Sequence, residues 1–570
     1  RLVPLMFLAN ADKDWAMMSL DVSDAFLTVN QERPTVVTAV DAAGVQHRFI
    51  LGKVLPGQRD GSLLWHRDLA GFLKTEFDIT PFGPYPSLLR NDKCLVIIHV
   101  DDMLFTGDRS YLLDVVLPAF KSRYQVSHEM VDKVATELSF LKRRHVLLSR
   151  DELFIQPHVK HASKLFEMLK IKPNMHPKKT PAHPEINEPD ETSALNAEFS
   201  SVFRTCVGVL LYLSADLVEC QFVIRYLAQC MKSPTERSYA VLRHLCLYML
   251  GCVEHGISLK MKAKGSGLYH DHDGNVLEVY SDSDWAAHKG NRKSVSSVAI
   301  FHRGCLIYSA SRTQKVISLS SAEAELHAAV SSTCDSILIS MCLEFLSGEP
   351  MRTVLYIDNS AARQILQRQG VGRIRHLSVK LLWLQTRVRD GLVSVKGIES
   401  AKNVADVGTK RLGLKVLKPL LFHLGVYNPT TGKRVGEETI ERIFQVKQLK
   451  KSHLFAVLCN LLVSGGNTLS PLVMAADDQC ETAGISLRDE GSEGTTWKVL
   501  LVIILFFTTL AVIRWIYVCY HNRRIRQMRD EYGDLHISEA HDPDEWMAFH
   551  HNVQFPDRAD PILTEDDPME

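Results

Sequence analysis

Four acidic residues in the second half of the chain could together bind metal ions: Asp282, Glu325, Asp358 and Asp406. Asp282 and Asp358 end apolar, strand-like runs, whereas Glu325 lies in a helical pattern. A strand–helix–strand–helix order with acids at the element ends brings carboxylates to one edge of a mixed sheet. Four carboxylates can hold two Mg²⁺ ions, one to activate water and one to stabilise a departing oxygen. Any one of these acids alone is more simply a turn residue at a strand end.

The helix that carries Glu325 also contains Glu323, and only one of the two can face the site. At about 100° per residue they lie about 200° apart around a helix. Ser320 and Glu323 have the spacing of a capping box, in which the two side chains bond backbone N–H groups at the helix start. We therefore assign Glu323 to the cap and Glu325 to the metal site.

Three aspartates near the N-terminus form a second candidate metal site. Asp101 and Asp102 separate two apolar runs, which predicts a hairpin with both acids near its tip. Asp21 ends another short apolar run. Because burying adjacent carboxylates without a cation is costly, a divalent metal is expected here. For the Asp-Asp pair in isolation, the alternative is a solvated turn.

The elements around these three aspartates resemble the reverse transcriptase palm of Copia-type LTR retrotransposons. Asp21 matches the family's x-D-V-x-x-A-F-L element, and Asp101 and Asp102 match its Y-V-D-D-M-L element. Gly57 and Trp65 keep the spacing of a third element. The resemblance implies an RNA-directed DNA polymerase in which two Mg²⁺ ions bind Asp21 and Asp101 as principal ligands, with Asp102 supporting.

The chain departs from this family pattern at two positions. His99 stands where the family has Tyr, and Asp60 stands where it carries Gln. The fingers strands are expected upstream of Arg1, so the chain is interpreted as a fragment. Polymerase activity of this fragment is left open for these reasons.

The later acids lie in elements that resemble the ribonuclease H domain of the same Copia-type polyproteins. Segments 282–286, 319–325, 358–362 and 405–410 match four family elements in order. The resemblance implies that the functional, metal-binding acids are Asp282, Glu325, Asp358 and Asp406. His376 matches a recurrent His before the last acid, and a surface His is the alternative reading.

A basic, Pro-punctuated segment between the two regions is a candidate nucleic-acid-binding surface. With His376, the residues assigned to nucleic-acid binding are Lys160, Lys164, Lys178 and Lys179. Such a run can lie along a phosphate backbone. A solvated helix face followed by a loop explains it equally well.

The composition limits the protein class. The 570 residues suffice for several domains, and 46% hydrophobic with 23% charged residues excludes global disorder. Lys plus Arg (66) balance Asp plus Glu (66), so nucleic-acid contact needs a local basic surface. The 12 cysteines include no C-x-x-C pair, which argues against a zinc ribbon and fits a reducing compartment. We expect a cytoplasmic location, or by family resemblance a virus-like particle or the nucleus.

Residues 499–520 form a long apolar segment that predicts a transmembrane helix. Arg514 lies toward one end, where its side chain can snorkel, and arginines follow the segment directly. By the positive-inside rule, the C-terminus would be cytosolic. A buried hydrophobic helix is the alternative, and the family gives no reason for a membrane anchor.

The predicted fold is a multidomain α/β and α+β protein: a palm and thumb-like region, then a ribonuclease H-like mixed sheet, with a C-terminal transmembrane helix. The predicted boundaries are 1–150 for the palm without fingers, 151–275 for a thumb- or connection-like helical segment, 276–412 for the ribonuclease H-like domain, 413–496 for a linker, 499–520 for the membrane helix and 521–570 for an acidic disordered tail.

Two functional hypotheses follow. The first is a Pol fragment with a polymerase region and a two-metal ribonuclease H; its partners would be an RNA template, RNA–DNA hybrid and dNTPs. Its cofactor would be Mg²⁺, two ions per site, with Mn²⁺ as a substitute. The second is a non-catalytic, membrane-tethered remnant that binds nucleic acid or protein.

Overall fold

The computed structural model describes residues 1–370, 372, 379–443 and 445. The predictions for His376, the membrane helix 499–520 and the tail 521–570 lie outside these residues. The described part is a mixed α/β structure with several sheets, as the sequence predicts.

The first 131 residues build a sheet with helices on its surface. Their elements are α1 Leu2–Ala9, β1 Trp15–Val22, α2 Ala25–Thr28, β2 Val36–Val40, β3 Gln46–Ile50, α3 Gly61–Phe77, β4 Thr80–Phe82, β5 Tyr85–Arg90, β6 Cys94–His99, β7 Asp102–Asp108, α4 Arg109–Tyr111, a π-helical turn Leu112–Val116, α5 Leu117–Arg123 and β8 Val126–Val131. Six strands pair in the order β4-β5-β6-β7-β1-β8, and β2 and β3 form a separate ribbon.

The helix α3 covers this sheet with one apolar face. Trp65, Leu69, Phe72 and Leu73 are buried in it at helical spacing. They share a core with residues of β1, β6 and β7, such as Phe105. This packing fixes the β6–β7 hairpin, whose turn carries Asp101.

Residues 137–260 combine short strands with four helices. The elements are β9 Glu137–Phe140, β10 Arg143–Ser149, β11 Glu152–Pro157, α6 Lys160–Met168, α7 Ala197–Leu213, a 3₁₀ turn Val218–Cys220, α8 Gln221–Cys230, α9 Glu236–Leu250 and β12 Gly256–Lys260. The helices pack around their own core, which includes Phe203, Leu210 and Leu242.

The remaining described elements begin with a five-stranded sheet. They are β13 Val276–Asp284, β14 Val295–His302, β15 Cys305–Thr313, α10 Ser321–Ser347, β16 Arg352–Ile357, α11 Ser360–Gln367, α12 Val379–Arg389, β17 Val393–Gly397, 3₁₀ turns Ser400–Lys402 and Val404–Gly408, α13 Leu414–Leu424, β18 Val426–Asn428 and β19 Lys433–Arg434. The strand order is β15-β14-β13-β16-β17. Strands β13, β16 and β17 run parallel, and β14 and β15 are antiparallel, so the sheet is mixed.

Two of the predicted boundaries differ from the structure. The second sheet has the order β19-β18-β12-β11-β10-β9, and the β10–β11 hairpin crosses the predicted boundary at 150. Residues 414–434 contain α13, β18 and β19, and β18 pairs with β12. The linker predicted at 413 therefore does not begin there, because this segment completes a sheet.

Among the described residues, α10 is the helix long and apolar enough to cross a membrane. Half of the most apolar stretch of α10 is buried inside the protein, and the helix packs on β13, β14 and β16. These contacts are those of a core helix, so its composition is weak evidence for a membrane span.

Candidate active sites

Three of the four later acids come together at one edge of the five-stranded sheet. Carboxylate oxygens of Asp282, Glu325 and Asp358 all lie within 4.8 Å of one another. Asp282 and Glu325 are buried, and Asp358 is half-buried. Within the described ranges, this is the one group of three or more metal-ligating side chains with that spacing.

The fold explains why these acids meet. Tyr280 of β13 is the parallel neighbour of Tyr356 of β16, so both strands end at the same edge. Asp282 lies near the end of β13, and Asp358 follows the last residue of β16. Parallel strands joined by a helix place such end residues side by side. Glu325 reaches the same edge from the second turn of α10.

The start of α10 has the predicted cap. The Ser320 hydroxyl accepts the Glu323 N–H at 3.2 Å, and the Glu323 carboxylate accepts the Leu319 N–H at 2.7 Å. The capping prediction is confirmed, with the carboxylate bonded one residue earlier than in the standard box. Glu323 is thereby engaged at the helix start, whereas Glu325 joins the acidic group.

Each acid of the group has its own hydrogen-bond partner. The Thr409 hydroxyl donates to Asp282 Oδ2, and the Ser400 hydroxyl donates to Asp358 Oδ2 at 2.7 Å. Glu325 Oε1 accepts the Ser283 N–H at 3.2 Å. Glu325 Oε2 is buried with no hydrogen-bond partner among the described residues.

Asp406, the fourth predicted acid, is connected to the group through a lysine. Lys410 Nζ lies 2.9 Å from Asp406 Oδ1 and 3.2 Å from Asp282 Oδ1. Asp406 itself is not within the 4.8 Å group. Burial and then the charge of Asp282 raise the pKa of Asp406 to about 7, against the lowering effect of Lys410.

The donor set fits a divalent cation. Burial, then the charges of Asp282 and Asp358, raise the pKa of Glu325 to about 9. Crowded carboxylates with an unpartnered buried oxygen lack positive charge, and Mg²⁺ takes oxygen ligands of this kind. Asp282, Glu325 and Asp358 are therefore the residues that would hold the metal.

Sequence reasoning did not assign roles to Asp284, Thr409 or Lys410. The Asp284 carboxylate accepts the Val295 N–H, and burial raises the pKa of Asp284 to about 6. Asp284 is two residues after Asp282 on a strand, so the two side chains share a face. The two-residue alternation of a strand could have predicted that Asp284 lies beside Asp282. The i,i+4 spacing could have predicted that Lys410 contacts Asp406.

The N-terminal acids lie around the β6–β7 hairpin. Asp21 of β1 is the cross-strand partner of Asp102 of β7. Asp101 follows Val100, which has a positive φ of 58°. The Trp65 indole N–H donates to the Val100 carbonyl oxygen at 2.6 Å and so secures this strained turn.

Electrostatics connects the three N-terminal aspartates. Burial, then the charges of Asp21 and Asp101, raise the pKa of Asp102. Burial and then Asp101 raise the pKa of Asp21. Within the described structure, the carboxylate oxygens of these three aspartates do not all lie within 4.8 Å of one another, unlike those of the later acidic group.

The two departures from the family pattern lie beside these acids. His99 is exposed and is the cross-strand partner of Asp102. Asp60 is the residue before α3, and its side chain makes no capping hydrogen bond.

The predicted nucleic-acid-binding lysines are exposed. Lys160 and Lys164 lie on α6, whereas Lys178 and Lys179 lie in the loop that follows it. Exposure is compatible with both readings of this segment, so the assignment stays a prediction.

Comparison with curated proteins identifies the homologues. The chain is 25% identical over 438 residues to the retrovirus-related Pol polyprotein from transposon RE1 of Arabidopsis thaliana, covering 73% of the chain and 28% of that protein. The homologues are Copia/Ty1-type Pol polyproteins. The Pol polyprotein from transposon TNT 1-94 of Nicotiana tabacum is 23% identical over 416 residues, or 70% of the chain and 30% of that protein. The resemblance to Copia-type Pol is thus confirmed, and the chain spans less than a third of these Pol relatives.

Two further comparisons complete this result. No protein-family model matches the chain. The foamy viral protease-reverse transcriptase in complex with RNA/DNA hybrid is 13% identical, with a TM-score of 0.40 over 68% of the chain and 44% of that protein. A TM-score below 0.5 is too low to establish a shared fold.

Proposed function

We propose that residues 276–410 form a ribonuclease H-type nuclease that cleaves the RNA strand of an RNA–DNA hybrid. The observation that carries the proposal is the group formed by Asp282, Glu325 and Asp358 within 4.8 Å, three acids distant in sequence. Pol polyproteins as homologues support a nucleic-acid-processing role.

The metal would be held by the three grouped acids, with Asp406 as a further ligand. Bound Mg²⁺ would supply the charge that activates water and stabilises the leaving 3′ oxygen. Specificity for the RNA–DNA hybrid would come from the geometry of its backbone and from contacts to the 2′-hydroxyls rather than from base identity.

The protein's own residues prepare the site by orienting the acids. Ser400 bonds Oδ2 of Asp358, which leaves Oδ1 as the oxygen available to a ligand. Thr409 and Lys410 together engage both oxygens of Asp282. Because the Lys410 ammonium contacts both Asp282 and Asp406, it would have to shift when a divalent cation binds these acids.

The test is cleavage of a hybrid with a labelled RNA strand, in Mg²⁺ and in EDTA. Asp358→Asn keeps the shape of the side chain and removes its charge, so we expect loss of cleavage by at least about a hundredfold. Asp390→Asn, which changes an exposed acid paired with Arg389, serves as the matched control. Cleavage that survives EDTA or Asp358→Asn would refute a metal-dependent nuclease site at these acids. Hybrid binding without cleavage by the unaltered chain would favour the non-catalytic remnant.

A second function, RNA-directed DNA polymerisation, is supported by the hairpin held by Trp65. Asp21 and Asp102 are cross-strand partners, with Asp101 in the adjoining turn. Primer extension on an RNA template with dNTPs tests this function, and Asp101→Asn should abolish it while hybrid cleavage continues. Extension that is absent from the unaltered chain would restrict the enzyme to the nuclease.

A further inference from the structure

A groove lies between helix α8 and the outer strand β15 of the five-stranded sheet. Its volume is about 590 Å³. Ile224 and Ala228 of α8 form part of an apolar wall, and residues 308–313 of β15 form the opposite wall. Arg225 projects from α8 as part of the lining.

Two hydroxyl groups of β15 accept hydrogen bonds from α8 in this groove. Arg225 Nη1 and Gln229 Nε2 each donate to Thr313 Oγ1 at 2.7 Å, so the Thr313 hydroxyl keeps its own O–H to donate. The Ser309 hydroxyl accepts from Gln221 Nε2 at 3.0 Å, and it likewise keeps its own O–H to donate. Arg225 Nε is buried with no hydrogen-bond partner among the described residues. A buried N–H without an acceptor is costly, but Nε is closed to the groove, so an anion there would act on the charge of the Arg225 guanidinium rather than bond this N–H.

The charge in the groove also favours an anion. Arg312 is paired with Asp335 at 2.5 Å and contributes little net charge. Among the described residues, no carboxylate forms an ion pair with Arg225. Its Nη1 also donates to Gln229 Oε1 at 3.3 Å, and its guanidinium packs over the Phe222 ring at 5.2 Å. Asp284 is the acid whose charge acts on Arg225, and its carboxylate is already bonded to a backbone N–H.

The groove lies beside the acidic group. Thr313 pairs with Val295, and Val295 pairs with Asp284, so Thr313 is two strands away from Asp284. Two strand spacings correspond to about 10 Å. Asp284 is two residues from Asp282, so a nucleic-acid backbone bound at the acidic group would have to cross β14, on which the 404–408 turn packs, to reach the groove.

We propose that this groove binds a backbone phosphodiester of the hybrid, with Arg225 as the anion-binding residue and Thr313 and Ser309 as hydroxyl donors. The apolar side chain of Ala228 would contact the sugar carbons next to that phosphate. This assignment rests on the proposed nuclease function, since it takes the hybrid as the ligand. Arg225 would hold the hybrid in place and would take no part in the cleavage step itself.

The test is hybrid binding by the full chain in EDTA, which blocks metal-dependent cleavage, measured by fluorescence anisotropy over a range of salt concentrations. Arg225→Gln removes the cation, and Ala228→Trp fills the groove while Arg225 is retained. We expect each variant to raise Kd roughly tenfold, the low end for a hydrogen bond to a charged group. Arg225→Gln should also reduce the salt slope by about one phosphate contact. Arg243→Gln is the matched control, because Arg243 is also half-buried and bonds a backbone carbonyl away from the groove.

The outcomes distinguish a failure of the groove assignment from a failure of the nuclease proposal. Unchanged Kd and salt slope for both groove variants, in a chain that cleaves hybrid, would overturn the groove assignment alone. Weakened binding in a chain that does not cleave would support the groove and refute the nuclease. Titration with inorganic phosphate alone identifies the ligand source: binding as tight as that of the hybrid would replace the proposal with a free-phosphate site.

Discussion

The ammonium nitrogen of Lys410 lies 3.2 Å from Oδ1 of Asp282, although the two residues are 128 positions apart. Without a metal, Lys410 supplies positive charge to Asp282 and to Asp406. We predict that Lys410→Met lowers the melting temperature in EDTA, because it leaves the buried carboxylates of Asp282 and Asp406 without their cation. The expected shift is roughly 2–4 °C for each kcal/mol lost. Mg²⁺ should restore more stability to the variant than to the unaltered chain, since metal binding replaces the missing charge.

Thermal melts with and without Mg²⁺ measure this difference. Lys415→Met is the control, because Lys415 is an exposed lysine on α13 without an ion pair among the described salt bridges. Equal melting temperatures in EDTA, together with equal Mg²⁺ shifts, would show that Lys410 does not compensate the acids.

The buried Glu219 predicts a pH-dependent stability. It accepts a hydrogen bond from the Tyr248 hydroxyl at 3.3 Å, and burial raises the pKa of Glu219 from its ordinary 4.5 to about 7. The folded state therefore binds a proton that the unfolded state releases, so stability falls as pH rises from about 4.5 to about 7 and is level above. The contribution is about 3 kcal/mol across that window.

Glu219→Gln should remove this part of the pH dependence. Chemical denaturation at pH 5 and pH 8 measures it as the difference between the variant and the unaltered chain. The comparison with the variant is necessary because burial also raises the pKa of Glu325 and Asp406, and these two acids add their own pH dependence to the stability of both proteins. The same pH dependence in both proteins would contradict the assignment to Glu219.

The sequence predicts the acidic group because its acids follow apolar, strand-like runs in a recognisable order. Asp282 and Asp358 end parallel strands, and that order alone brings them to one edge. Lys410 shows the limit of this reasoning. Its spacing to Asp406 is local, whereas its contact with Asp282 depends on the packing of a 3₁₀ turn against β13.

The second sheet was not predictable for a related reason. Its strand β12 pairs with β11, from which it is separated by four helices, and with β18, which has only three residues. Periodicity cannot identify such a short strand, since three residues hold barely one alternation. Pairing between distant segments is a tertiary effect that a single sequence does not display.

Trp65 offers a test of the N-terminal hairpin independent of the nuclease. Trp65→Phe keeps most of the buried ring but removes the N–H that bonds the Val100 carbonyl. We expect a loss of about 1–3 kcal/mol, the cost of leaving that carbonyl without its partner. Hydrogen exchange should increase at residues 99–102, while hybrid cleavage per folded molecule is unchanged. Trp285→Phe is the control, because the Trp285 indole bond is at a half-exposed side chain. Equal losses in both variants would show that the hairpin bond has no special role.

Gly408 links the turn that carries Asp406 to the sheet. Its carbonyl accepts the Ser311 hydroxyl at 2.5 Å, and a Cβ at this position would lie 2.9 Å from Ser297 Cβ. Gly408→Ala therefore forces either the turn that carries Asp406 or Ser297 of β14 to shift.

We predict that Gly408→Ala lowers hybrid cleavage roughly tenfold, since small displacements of catalytic groups cost rates of this size or more. Gly208→Ala is the matched control: Gly208 is exposed within α7 with open space at its Cβ position, and alanine there should stabilise the helix by about 0.5–1 kcal/mol. Cleavage rates of both variants, measured per folded molecule, check the prediction. Full cleavage by Gly408→Ala would contradict the prediction that a shift at this contact disturbs Asp406.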